Sequence, residues 1–272
     1  MIKLIALDID GTLLTSQRKI GEETLSALRL AHDSGCAIVL ATGRAFGSLQ
    51  NVAEMLGCAD FAVTSSGGGV FHVDGEMLYA QDMPAHSVRA VMDTVKSFGI
   101  LPELYIKGRA YASDYQLDNM AGWGLPEKTQ GYVLSTRVRI DDYEAFVEEN
   151  IHLIEGVDVL TAPPEIRHPL RSALEKIDGI AVTSSSPWYV DINTVGVTKA
   201  SGLMQLGMIL NIDRSEMMAF GDAENDIPMI EYAGIGVAMG NASEDVKARA
   251  DFLTDTNDAE GIAKTLKHFG II

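Results

Sequence analysis

The chain has 272 residues, with 21 lysines and arginines against 38 aspartates and glutamates, for a formal net charge of −17. Such a balance excludes a broad basic face, so no nucleic-acid partner is expected. Hydrophobic residues at 47% and charged residues at 22% describe a chain that buries a core, and no apolar run reaches the length of a membrane span.

The N-terminal MIKLIALDIDG turns acidic at once and has no small-residue cleavage site, so it reads as a buried strand, and the cytoplasm is the expected location. Residues 2–7 form a continuous apolar run, the pattern of a central strand in a parallel sheet. Helical spacing follows over 22–31 (Leu25, Leu28, Ala31), then a buried strand at 37–41, a helix at 45–56 and a third strand at 61–64. Strand and helix alternation of this kind predicts a doubly wound α/β domain. From about 82 the rhythm changes. A helix at 87–98, a hairpin at 101–106 and 110–112, strands at 132–139 and 189–192, and helices at 143–154 and 169–177 predict an α+β unit. From 198 the first rhythm returns, with strands at 217–220, 235–238 and 252–253 and helices at 198–210, 227–232, 244–250 and 260–269.

The expected fold is therefore a Rossmann-like doubly wound parallel sheet core made of residues 1–81 and 188–272, with an α+β cap inserted at 82–187. The chemistry-bearing motifs lie outside the insertion, which suits it to a lid or substrate surface. Cys36 and Cys58 read as buried thiols of a reducing compartment. The six histidines show no metal-ligand spacing.

Asp8-Ile9-Asp10-Gly11-Thr12 directly follows the first strand. Ligands of open α/β sheets bind at strand carboxyl ends, which is where Asp8 falls. Asp10 can turn back toward the same space, and two carboxylates so close must lose charge or share a cation. Mg²⁺ meets that need through oxygen ligands. Asp8 can then attack phosphorus as a nucleophile, while Asp10 serves as acid and base. Thr42 and Gly43 follow the second strand and can offer a hydroxyl and backbone N–H groups to a phosphoryl group; the same Thr also fits a plain helix N-cap. Arg44 could bind substrate or pair with a carboxylate. Lys199 opens a helix, a place the helix dipole disfavours for a cation, so a neutralising role beside Asp8 competes with that of a solvated lysine. Asp222 falls at the end of the strand 217–220 as the natural third metal ligand. Asn225 can donate to a phosphoryl oxygen, and Asp226 can cap the next helix or support the metal. Trp188 and Tyr189 fit either stacking on a sugar ring or packing at a hinge.

The segments DIDGT (8–12), ATGR (41–44), GVTK (196–199) and GDAENDIPM (221–229) resemble, in order and spacing, the four motifs of the haloacid dehalogenase superfamily, in particular its Cof-type sugar-phosphatase branch. The resemblance implies a Mg²⁺-dependent phosphatase acting on a small phosphorylated metabolite, with Asp8 as nucleophile and metal ligand. It implies Asp10 as acid/base with its carbonyl on the metal, Thr42 and Lys199 on the phosphoryl group, Asp222 on the metal, and Asn225 and Asp226 in support. Where relatives often carry Ser-Asn-Gly, this chain has Ser65-Ser66-Gly67, so a donor facing the substrate is shortened. A phosphotransferase or mutase of the same chemistry and a non-catalytic metabolite-binding protein stay open as alternatives. No membrane partner is expected, and a homo-oligomer is possible.

Overall fold

The computed structural model describes residues 1–272 apart from 124, 162, 163, 186 and 187. The chain divides into two compact units, Met1–Tyr79 with Thr198–Ile272, and Ala80–Val197. Its strands in chain order are β1 (Leu4–Leu7), β2 (Ala37–Ala41), β3 (Phe61–Thr64), β4 (Gly69–His72) and β5 (Met77–Ala80), then β6 (Glu103–Ile106), β7 (Arg109–Ser113), β8 (Arg137–Ile140), β9 (Ile154–Leu160), β10 (Ile180–Thr183) and β11 (Tyr189–Thr194), and finally β12 (Met217–Gly221), β13 (Ile235–Ala238) and β14 (Phe252–Leu253).

In the first unit the sheet order is β14-β13-β12-β1-β2-β3-β4-β5. All pairs from β14 to β3 are parallel, and β4 returns antiparallel to β3. The apolar run of β1 is uninterrupted because both faces are covered. Ile5 and Leu7 join Leu28, Val52 and Leu266 from the helices Glu22–Asp33, Gln50–Leu56 and Gly261–His268. Leu4 and Ala6 point the other way, onto Leu203, Leu206 and Met229 of the helices Lys199–Leu210 and Ile227–Tyr232. Period-2 alternation thus sends one strand's side chains into two cores. The chain order reverses at β1, whose neighbours are β12 and β2; such a switch point opens a crevice at the strand ends.

The second unit is a six-stranded sheet, order β10-β11-β9-β6-β7-β8, antiparallel except for the parallel β7–β8 pair. Helices Ala85–Ser97, Tyr143–Asn150 and Arg167–Leu174 cover one face through Val88, Val91, Val95, Val147, Leu170 and Leu174.

Several sequence expectations change. Residues 188–197 belong with the second unit and not the core, because β11 pairs with β9 and β10. The expected strand at 132–139 is helical over Glu127–Thr136 and extended only from Arg137; Val133 is drawn into a buried cluster with Leu117, Met120 and Leu125, so packing overrides strand propensity. The helix expected to reach 154 ends at Asn150, and Ile154 opens β9. Strands β4, β5, β9 and β10 were not expected. Cys36 and Cys58 are free and buried. Tyr189 packs in the second unit's smaller cluster, with Trp188 against it.

Candidate active site

The site assembles at the carboxyl ends of β1, β2 and β12. Asp8 follows β1 immediately and is buried; its N–H donates to the Phe220 carbonyl, which ties it to β12. Asp222 follows Gly221, the last residue of β12. Carboxylate oxygens of Asp8, Asp222 and Asp226 lie within 4.8 Å of one another, and no other group of three His, Cys, Asp or Glu does so among the described residues.

Two glycines permit this approach. Gly11 has φ +92, and a Cβ there would meet Asp222 Oδ2 at 2.3 Å. At Gly221 a Cβ would meet that of Asp226 at 2.4 Å. Backbone, not side chain, therefore fills the space beside each carboxylate.

Lys199 is completely buried. Its Nζ donates to Asp8 Oδ1 at 2.6 Å and to Asp226 Oδ1 at 2.5 Å. Its helix starts with Thr198 as N-cap, whose hydroxyl accepts the Ser201 N–H at 3.3 Å while Ser201 Oγ accepts the Thr198 N–H at 2.9 Å. This capping box fixes the helix start and sends the lysine stem inward. Gly67 lies so close to this cap that a Cβ would stand 2.0 Å from the Thr198 carbonyl. Burial alone would lower the Lys199 pKa, but the facing Asp226 and Asp8 carboxylates outweigh it and raise it above its ordinary value. Asp8 is held well above the usual carboxylate range by burial and by Asp226, with Lys199 opposing. Asp222 is pushed up to about 6 by burial and Asp226, against a hydrogen bond from Thr12.

Asp226 has both oxygens engaged: Oδ1 by Lys199, and Oδ2 by the N–H groups of Asp222 and Ala223 at 2.9 Å each. It shapes the loop that presents Asp222. Asp8 Oδ2 and Asp222 Oδ2 accept no hydrogen bond from the described residues, while Asp222 Oδ1 accepts from Thr12 Oγ1 at 2.7 Å. Thr12 carries no assigned role in the sequence motif DIDGT, because its partner lies 210 residues away. Hard carboxylate oxygens around an under-neutralised buried centre suit Mg²⁺, which takes few protein carboxylates and keeps waters.

Asp10 is not in this carboxylate group. Its carboxylate accepts two hydrogen bonds from Arg44, Nε to Oδ2 at 2.7 Å and Nη2 to Oδ1 at 2.6 Å, a bidentate fork. The charge of Asp10 is thus matched by Arg44, so of the two sequence options for Arg44 the pairing with a carboxylate is present. Thr42 is buried beyond β2, and its Oγ1 accepts the Arg44 N–H at 3.2 Å; Gly43 lies between them. Ser66 is buried at φ 51 and donates its N–H to the Thr42 carbonyl. This left-handed conformation favours Asn over Ser. Asn225 is buried in the loop between Asp222 and Asp226.

A family model described as haloacid dehalogenase-like hydrolase matches residues 5–266. A Bacillus subtilis protein named 5-amino-6-(5-phospho-D-ribitylamino)uracil phosphatase YcsE is 30% identical over 98% of this chain and 96% of its own length. Among solved structures, the phosphatase BT1666 from Bacteroides thetaiotaomicron is 33% identical, with a TM-score of 0.81 over 100% of this chain and 96% of that one. The subclass IIB sugar phosphatase BT4131 is 29% identical, with a TM-score of 0.82 over 99% of this chain and 100% of that one.

Proposed function

The chain belongs to the haloacid dehalogenase-like hydrolases and is a phosphoric monoester hydrolase, and on that premise we propose that it cleaves small phosphorylated metabolites, sugar phosphates foremost, through an aspartyl-phosphate on Asp8. The observation that carries this reading is the buried lysine clamp. Lys199 fixes Asp8 Oδ1, leaving Oδ2 as the oxygen that attacks phosphorus. The P–O bond to the leaving alcohol breaks as the Asp8 O–P bond forms, and Asp10 gives that alcohol its proton. Asp10 then takes a proton from the water that attacks the aspartyl-phosphate, releasing phosphate and restoring Asp8. Thr42, the backbone N–H of Gly43, Asn225 and Lys199 hold the phosphoryl oxygens. Asp8, the Asp10 carbonyl and Asp222 would hold Mg²⁺, with Asp226 behind them. The ion would neutralise charge on the phosphoryl group and on Asp8. Residues 80–197 carry none of these groups and are assigned to substrate selection. The test is Asp8→Asn: phosphate release from p-nitrophenyl phosphate with Mg²⁺ is abolished, and retained turnover removes Asp8 as nucleophile.

A further inference from the structure

The turn that carries Asp10, Gly11 and Thr12 is tied from outside the carboxylate group by two asparagines. Asn241 lies three residues past β13. Backbone fixes its place on two sides. The Met239 N–H donates to the Gly221 carbonyl at the end of β12 at 3.0 Å, and the Gly240 N–H donates to the Asp255 carbonyl beyond β14 at 3.1 Å. Gly240 passes so close to that loop that a Cβ would stand 2.9 Å from the Thr256 nitrogen. Asn241 Nδ2 donates to the Gly11 carbonyl at 2.8 Å, and its Oδ1 accepts the Asn257 N–H at 3.1 Å. Asn257 Nδ2 donates in turn to the Leu14 carbonyl at 2.7 Å. The loops that follow β1, β13 and β14 are thereby joined at the carboxyl end of the sheet.

The partners dictate the residue type. Gly11 presents a carbonyl, an acceptor only, and Asn257 an N–H, a donor only. A short side chain that bridges them needs one donor and one acceptor, which an amide supplies in a single orientation. Stability does not call for the bridge. Asn241 is exposed, and water satisfies an exposed carbonyl nearly as well, so the bond adds little to folding. Water does not, however, fix the Gly11 peptide relative to β13 and β14. Asp10 precedes that peptide. Thr12, whose Oγ1 holds Asp222 Oδ1 at 2.7 Å, follows it. Gly11, at φ +92 against Asp222, has the softest backbone of the turn, so its neighbours keep their aim only with an external hold.

We propose that Asn241, backed by Asn257, is a positioning residue of the reaction: by holding the Gly11 carbonyl it sets the aim of Asp10 at the leaving-group oxygen. It touches neither substrate nor reacting atoms. Arg44 holds the Asp10 carboxylate, and Asn241 holds the backbone on which that carboxylate stands. The inference rests on the reading of Asp10 as the acid that protonates the leaving alcohol. A small misplacement of such a group slows the step it serves, most of all for a leaving group that needs the proton.

The test uses Asn241→Ala and Asn257→Ala, which leave the charge unchanged. Measured is kcat/KM for phenyl phosphate and for p-nitrophenyl phosphate, esters alike in shape whose leaving groups differ in their need for a proton. Asn241→Ala lowers the phenyl-to-nitrophenyl ratio about fivefold, with a melting temperature within about 2 °C of wild type. Asn257→Ala lowers the ratio less, and it decides if Asn241→Ala does not fold. A merely structural loss would slow both esters equally. Peptide-resolved hydrogen exchange on the same proteins shows faster exchange over 9–16 and none of that change in β12. A ratio unchanged in the asparagine variants but lowered in Asp10→Asn overturns the proposal, as does exchange over 9–16 equal to wild type. A wild-type ratio in Asp10→Asn, or wild-type protein that leaves both esters intact, refutes the underlying reading instead. Exchange over 9–16 then decides the hold on Gly11 alone.

Discussion

Replacing Lys199 by methionine keeps an apolar stem of similar length and removes the ammonium that bonds both Asp8 and Asp226, at 2.6 and 2.5 Å. Both carboxylates are then left buried without it. Breaking a buried ion pair from one side costs about 3–5 kcal/mol. For a domain of this size that lowers the melting temperature by roughly 10 °C. The carboxylates can soften the loss by taking protons, since Asp8 already lies well above its ordinary value through burial and Asp226. The destabilisation is therefore larger at pH 8 than at pH 5.5. Calorimetric melts of wild type and Lys199→Met at both pH values, in chelator so that no divalent ion replaces the ammonium, measure it. The double variant Lys199→Met/Asp226→Asn recovers part of the loss, because the two sites share one interaction. A Lys199→Met protein that melts within about 2 °C of wild type at pH 8, or strictly additive losses, refutes the clamp.

Arg44→Ala releases the Asp10 carboxylate from its two-point hold. The ratio of kcat/KM for an alkyl phosphate to that for p-nitrophenyl phosphate falls by about tenfold or more, because only the alkyl leaving group depends on a positioned acid; an unchanged ratio removes Arg44 from the positioning of Asp10. In the second unit Glu155 is pushed up to about 7, chiefly by burial, from an ordinary 4.5, so the folded protein keeps a proton that the unfolded chain gives up. Its contribution to stability is full below pH 4.5 and is lost as pH rises through about 7, amounting to about 3 kcal/mol. Glu155→Gln, which stays uncharged, is therefore more stable than wild type at pH 8 and similar at pH 4.5 in denaturant titrations. A gap that does not grow with pH contradicts the buried-acid assignment.

Strands β1, β2, β3 and β12 were legible because they are buried on both faces and so read as unbroken apolar runs. Strand β9 was hidden because Glu155 and Asp158 interrupt it, although all seven of its residues are buried. The carboxylates Asp8 and Asp222 were legible from their places just after such runs. Lys199 showed a faint local signal, a cation where the helix dipole disfavours one, and its burial explains the misfit. Neither the Thr12–Asp222 hydrogen bond nor the Arg44–Asp10 fork could be read locally, because each joins residues that only the sheet order brings together. The boundary after residue 187 failed for a similar reason: β11 reads as any short strand until its partner β9 is known.

The proposed chemistry requires a carboxylate oxygen of Asp8 to form the bond to phosphorus. Acid-quenched enzyme taken during turnover of p-nitrophenyl phosphate with Mg²⁺, reduced with borohydride and mapped by mass spectrometry, reports which carboxylate was phosphorylated. The predicted result is reduction at Asp8 alone, disappearing when Mg²⁺ is chelated. Steady turnover with Asp8 unmodified, or with the label on Asp222 or Asp10, would contradict it.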